Sequence, residues 1–177
     1  PALNNAGASA MTYTTNFGQR PFAYTAPSGF KALCTQNLPT PTIGATTATQ
    51  AGKYFNPVLY TGNGSNSRSV TGVGFQPDFV WMKARSQAYV HGLANAVTGV
   101  NKFLISNSTA AETTNDAYGY LSSFDSDGFS LTGGTSGNDT FNRNTDSFVA
   151  WNWKANGAGS TNTSGSITST VSANTTS

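Results

Sequence analysis

The chain has 177 residues, of which only 9% are charged, and nine Lys and Arg against seven Asp and Glu leave a formal net charge of +2. Ordinary globular chains carry roughly a quarter charged residues, so this surface must be neutral and rich in hydroxyl and amide groups. Such a surface suits permanent assembly or contact with neutral polymers such as glycans. The charges are scattered and form no basic stripe, which argues against a nucleic-acid footprint, and the apolar runs are too short to span a bilayer.

The chain opens Pro-Ala-Leu-Asn-Asn, with no basic start, apolar run or initiator Met. No signal peptide is therefore expected, and the chain reads as a processed or truncated product. Cys34 stands alone, so no internal disulfide, dithiol or zinc framework is expected. Residues 1–41 hold two strand-like pieces, residues 10–17 and residues 22–25 continued at 30–34. Pro21, Pro27, Gly29, Pro39 and Pro41 punctuate them. Residues 42–52 lack bulky apolar side chains and read as a linker or extended arm.

Residues 53–155 form the densest stretch. Residues 55–61 alternate and end at Gly62-Asn63-Gly64, and residues 67–73 follow, which predicts a hairpin. Residues 79–85 are apolar and aromatic with no breaker, and predict a central strand. Shorter strands are expected at 89–94, 102–107, 118–124 and 129–132. Residues 148–154 close the set, with Val149, Trp151 and Trp153 on one face and Phe148, Ala150 and Asn152 on the other. Turn residues recur about every 8–12 positions, the spacing of a sandwich or barrel. Residues 156–165 have linker composition, and residues 167–171 look like the opening strand of a following repeat. Residues 110–116 can make at most one or two helical turns. The expected fold class is all-β, an antiparallel β-sandwich with extended N- and C-terminal segments.

Four phrases in this stretch carry a resemblance. They are residues 59–64 (Leu-Tyr-Thr-Gly-Asn-Gly), 73–83 (Val-Gly-Phe-Gln-Pro-Asp-Phe-Val-Trp-Met-Lys), 123–131 (Ser-Phe-Asp-Ser-Asp-Gly-Phe-Ser-Leu) and 148–154 (Phe-Val-Ala-Trp-Asn-Trp-Lys). In this order they resemble a domain that recurs, often in tandem, in tail-fibre proteins of marine and cyanobacterial phages, a concanavalin A-like (laminin-G-like) jelly-roll sandwich. Residues 16–22 and 27–33 resemble the C-terminal end of a SPRY-like domain, of which only the last strands are present. The resemblance implies fibre architecture, a place in a virion tail fibre or another extracellular fibre, and contact with host-surface glycans. It carries no catalytic residue.

Candidate sites are few. Asp125 and Asp127 flank one residue and can offer oxygens to Ca²⁺, but an EF-hand-like loop needs a distal Glu, and Glu112 is the only Glu. A tight turn with Asp127-Gly128 at its corner explains the pair better. His91 is the only His. As a general base it would need Asp78, Asp116 or Asp125 as orienter, and no Gly-x-Ser-x-Gly elbow supplies a nucleophile. Glycosidase chemistry needs a carboxylate pair, and the only close pair is the turn. Trp81, Trp151 and Trp153, with Tyr60 and Tyr89, can stack on sugars, but core packing accounts for Trp151 and Trp153 and leaves Trp81 open. Carbohydrate contacts are expected at Trp81 and Tyr89 and in the polar loops 63–68 and 133–144, where Asn138 and Asp139 are candidates. Asn63, Asn107, Asn138, Asn162 and Asn174 start glycosylation sequons, which chance explains in so Asn-, Ser- and Thr-rich a chain.

These readings give a non-enzymatic adhesive or structural fibre module without a resident cofactor. The alternative is a carbohydrate-binding module of a bacterial surface protein, and a hydrolase of the same fold lacks its acid pair. The expected partner is a second copy of the chain, strand-exchanging or trimeric, with strand donation from residues 1–41 or 160–177 to a neighbour's sheet edge.

Overall fold

The computed structural model describes residues 50–114, 117–136 and 140–173, together with scattered positions between 16 and 49. The chain divides into two compact units, Pro1–Pro41 and Thr42–Ser177. In the first, the Asn16 side chain donates to the Arg20 carbonyl and accepts the Arg20 amide. A turn with Gly29 at φ 87° is closed by the Phe30 amide on the Pro27 carbonyl at 3.0 Å. Residues 23–25 and 30–31 are bends and irregular chain. The rest of the strand-like pieces expected in this unit, and Cys34, lie outside the described residues.

The second unit is all-β. Its strands are β1 (Phe55–Thr61), β2 (Ser67–Thr71), β3 (Phe79–Ala84), β4 (Gly92–Asn95), β5 (Lys102–Ile105), β6 (Thr113–Thr114), β7 (Tyr120–Asp125), β8 (Gly128–Thr132), β9 (Ser147–Trp153), β10 (Ser160–Asn162) and β11 (Ser169–Val171). They form a six-stranded sheet in the order β1-β9-β3-β4-β5-β6 and a three-stranded sheet in the order β2-β8-β7, every described pairing antiparallel. The β10 and β11 strands pair with each other, so the segment expected to open a following repeat has a partner within this chain.

The two sheets bury their facing side chains against each other. The six-stranded sheet contributes Tyr60, Val80, Met82, Phe148 and Ala150, and the smaller sheet contributes Val70, Leu121, Phe129 and Leu131. The Tyr60 and Phe129 rings meet edge to face across the gap at 6.4 Å. Each fully buried large side chain here is worth about 1.5–3 kcal/mol, so this layer holds the sandwich together. The β7–β8 hairpin closes through Ser126 and Asp127, because Asp125 pairs with Gly128. Gly128 has φ 150°, and a Cβ there would collide with the Val70 carbonyl oxygen. The turn expected at this sequence is therefore present, and its glycine is required.

Two expectations are corrected. The β1 and β2 strands form no hairpin: β1 pairs with β9 and β2 with β8, in different sheets. The Gly62–Gly64 segment crosses between sheets, because its amides bond backward to the 142–146 loop, Gly62 to the Asp146 carbonyl and Gly64 to the Asn142 carbonyl, each at 2.8 Å. Trp151 and Trp153 are not core residues. The alternation of β9 is as expected, but its inner face carries Phe148, Ala150 and Asn152, and both tryptophans stand half-buried on the outer face. The inner gap is already filled by the Tyr60, Phe129 and Phe148 rings, and the bulkier indoles take the open side.

The four edges of the two packed sheets are blunted. On β1, the Tyr54 carbonyl and the Gly62 amide bond toward β9, so odd-numbered residues turn their backbone groups to the free edge. Pro57, in the middle of that edge, has no N–H to offer. On β2, Arg68 points inward and lies 5.3 Å over the Tyr60 ring. The β7 edge is broken by a register shift between Leu121 and Ser123. The β6 edge is two residues long. Proline, inward charge, bulge and shortness are the known ways of keeping an edge from recruiting another strand.

Candidate functional site

The longest loop leading into β9 organises a polar cluster at one end of the larger sheet. Asn142 is buried, with its amide donating to Asn63 Oδ1 at 2.9 Å and the Ser65 carbonyl at 3.0 Å. Its Oδ1 accepts the Asn63 amide at 3.2 Å. Three residues on, Thr145 sits at φ 69°, a left-handed conformation that a β-branched residue adopts only under constraint. The constraint is visible: the Thr145 amide bonds the Gly62 carbonyl at 3.0 Å, and the Asp146 amide bonds the Arg143 carbonyl at 3.2 Å.

This loop aims Asp146 at the segment between β3 and β4. Asp146 is 8% exposed. Its Oδ2 accepts the Tyr89 hydroxyl at 2.9 Å, and its Oδ1 accepts the Ser86 hydroxyl at 3.2 Å and the Gln87 amide at 3.3 Å. Burial works to raise its pKa. The Tyr89, Gln87 and Ser86 donors, with the Arg143 guanidinium nearby, outweigh burial and hold the carboxyl below its ordinary value. Arg143 Nη1 donates to the Tyr89 oxygen at 3.0 Å, so the phenol relays between cation and carboxylate. Ser86 also accepts the Ser147 amide at 3.0 Å, which ties the segment to the start of β9.

Beside this cluster lies an open cleft of about 830 Å³. Its walls are Val90, Phe103, Ile105 and Tyr118, and Tyr89 and Arg143 stand at its polar end. The side chains of Phe103 and Ile105 on β5 line it. Phe141 packs edge to face on Phe103 at 5.4 Å. The Gly92 backbone admits that ring, since a Cβ there would strike it.

The predicted sugar contacts do not converge. Tyr89 lines the cleft. Trp81 lies on the opposite, outer face of the sheet, packed on Trp151 at 5.3 Å, with its indole nitrogen buried and without an acceptor. Asn138 and Asp139 lie outside the described residues, as does Asp116. Tyr60 is in the core and donates to the Phe141 carbonyl at 2.8 Å, and burial raises its pKa. Asp125 accepts the Ser123 and Ser130 hydroxyls at 2.7 and 2.6 Å, and Asp127 accepts the Gly72 and Gly74 amides at 3.1 and 2.6 Å. The four carboxylate oxygens are thus taken by separate donors from different elements instead of converging on one cation. Among the described residues, no group of three or more His, Cys, Asp or Glu side chains clusters as metal ligands. His91 bonds through its backbone, to Asn107 Oδ1 and the Ser106 amide, while Asp78 accepts the Ala155 amide at 2.7 Å.

Sequence reasoning missed Asn142, Arg143 and Asp146. The available signal was an Arg three residues before an Asp in a chain with so few charges. The arrangement can bind: it offers an apolar trough with a guanidinium donor held by the phenol oxygen, whose own proton goes to Asp146. The family comparison matches residues 50–177, the whole of this sandwich and the hairpin after it, to DUF7483, a domain of unknown function. The chain belongs to that family. No curated protein and no solved structure matches it.

Proposed function

We propose that this DUF7483 chain is a non-enzymatic structural and adhesive module of an extracellular fibre, of the phage tail-fibre kind that its sequence phrases resemble, which assembles with copies of itself and takes a host-surface glycan in the cleft. The jelly-roll connectivity of concanavalin A-like domains belongs to this reading. The observation that carries it is the cleft. Its polar end is fixed by the Arg143–Tyr89–Asp146 relay before any ligand arrives, and its walls are apolar, the usual division of labour in a binding site. Preorganised donors cost little entropy on binding. The guanidinium, part of whose donors remain for a ligand, suits carboxylate- or hydroxyl-rich sugars.

The test is a glycan array with the full chain, followed by titration of any hit. Arg143→Ala should weaken binding by about 10-fold or more, the loss of one or two charge-assisted hydrogen bonds, and Tyr89→Phe by less. Binding that is unchanged in Arg143→Ala would move the glycan elsewhere, and an empty array would remove the adhesive part of the proposal.

A further inference from the structure

The chain contains two Asn-Gly pairs, Asn63-Gly64 and Asn156-Gly157. Asparagine is a labile residue. Glycine has no Cβ to shield its amide, so in such a pair the glycine nitrogen can reach the side-chain carbonyl carbon of the asparagine before it. We propose that Asn156-Gly157 is a site of spontaneous self-modification, where the Asn156 amide converts to aspartate and isoaspartate, and that the fold protects Asn63-Gly64 from the same reaction. The inference is independent of both the glycan cleft and the assembly proposed above.

Asn156 is exposed and lies between β9 and β10. It opens a four-residue turn that the Gly159 amide closes on the Asn156 carbonyl at 3.2 Å. Gly157 holds the second position at φ 61°, a conformation that suits glycine. The closing bond of such a turn uses the amide of the fourth residue and leaves that of the second unused. Among the described residues, neither the Gly157 amide nor the Asn156 carboxamide has a hydrogen-bond partner, and the backbone amide of Asn156 donates to Ser172 Oγ at 2.8 Å. Both reacting groups are therefore free to meet.

The Asn63-Gly64 pair has no such freedom. The Gly64 amide is held by the Asn142 carbonyl at 2.8 Å. Asn63 Oδ1 accepts the Ser65 amide at 3.0 Å and Asn142 Nδ2 at 2.9 Å. Asn142, which supplies two of these bonds, is 2% exposed. To react, the pair must break the Gly64 bond and swing its carboxamide away from two donors, which leaves buried polar groups unsatisfied.

Water is the only co-reactant. The Gly157 nitrogen gives its proton to solvent and bonds Asn156 Cγ. The Cγ–Nδ2 bond breaks, and Nδ2 takes a proton from solvent and leaves as ammonia. A cyclic imide remains. Water then opens it at Cγ, giving aspartate, or at the α-carbonyl carbon, giving isoaspartate with a main chain one carbon longer. Either product puts a carboxylate into the turn. Isoaspartate also takes the carbonyl that Gly159 bonds out of the main chain, which loosens the entry to β10. The β10–β11 hairpin leans on this joint at both ends, through Gly159 and Ser172, and a two-stranded hairpin is marginal by itself.

The experiment incubates the native full chain in mildly alkaline buffer and follows each asparagine by peptide mass spectrometry. Trypsin separates the two sites, because cuts after Lys53, Arg68 and Lys154 place Asn63 in residues 54–68 and Asn156 in residues 155–177. Acid should accumulate at Asn156 at least about 10-fold faster than at Asn63, where more than one hydrogen bond must break first. In the urea-unfolded chain the two rates should converge. Asn142→Ala should bring the native Asn63 rate toward that of Asn156, and should that variant not fold, the urea comparison carries the same test. Hydrogen exchange in the modified native protein should quicken in β10 and β11 and stay unchanged in β3 and β9. An intact Asn156, or equal native rates, overturns the proposal. A difference that persists in urea belongs to local sequence and overturns the protection by the fold. Modification without faster exchange in the hairpin overturns the loosening of the joint.

Discussion

Thr145 shows how a single residue can be held against its own preference. Its φ of 69° costs a β-branched residue roughly 1–2 kcal/mol, and no hydrogen bond from its hydroxyl offsets this within the loop. Asparagine tolerates the left-handed region, so Thr145→Asn should raise Tm by about 2–6 °C in a domain of this size, read by calorimetry. If the strain serves to aim Asp146 and Arg143, the same variant should weaken ligand binding in the cleft while stabilising the fold. Little of this was legible in the sequence. Residues 142–146 read as one more polar loop, because a positive φ at threonine has no local signature and arises from Gly62 and Asn63, some 80 positions earlier. The Asp127 turn was legible, since Asp-Gly between two apolar runs states its geometry locally. The capping of Gly72 and Gly74 by that Asp was not.

At the scale of the strand, alternation located β1 and β9 within a residue, because a half-buried strand writes its period directly, and apolar runs between turn residues located β3, β5, β7 and β8 within two. It could not say which face is inside. Both faces of β3 and β9 are apolar, so side-chain size pointed to Trp151 and Trp153 as core when the inner layer belongs to Phe148 and Ala150. The β6 and β10 strands, Thr-Thr and Ser-Thr-Asn, escaped notice because they have no apolar side and exist only through their partners. The same strand-level reasoning bears on Pro57. It is exposed and makes no ladder bond that substitution would break, so Pro57→Thr should fold normally. It restores an N–H on the free edge of β1, flanked by Phe55 and Leu59. Light scattering on prolonged incubation should therefore rise above wild type, as expected of an opened apolar edge. Equal scattering would show that the proline does not guard that edge.

For the molecule as a whole, scarcity of charge decides how acid acts. With nine Lys and Arg and one His as its only cationic side chains, the protonated protein builds little self-repulsion, and acid sensitivity must come from individual carboxylates. The Gly74 and Gly72 amides hold the Asp127 carboxyl below its ordinary 3.8, and Asp146 is likewise held down by its donors against the opposing effect of burial. A depressed folded-state pKa means that the native state binds the proton less readily than the unfolded chain. The stabilisation is therefore complete above about pH 4, where the unfolded carboxyl is already ionised. It is lost as pH falls through the lower folded values. Thermal melts between about pH 7 and pH 2 should hold level and then fall below about pH 4. Asp127→Asn should melt lower at pH 7 and show a shallower acid decline, because the group that titrates is gone. Screening by salt should restore little of the wild-type loss, since the lost interactions are hydrogen bonds at contact distance and not long-range repulsion. A decline that salt abolishes, or one equally steep in Asp127→Asn and Asp146→Asn, would place the acid sensitivity in net charge instead of in these two carboxylates.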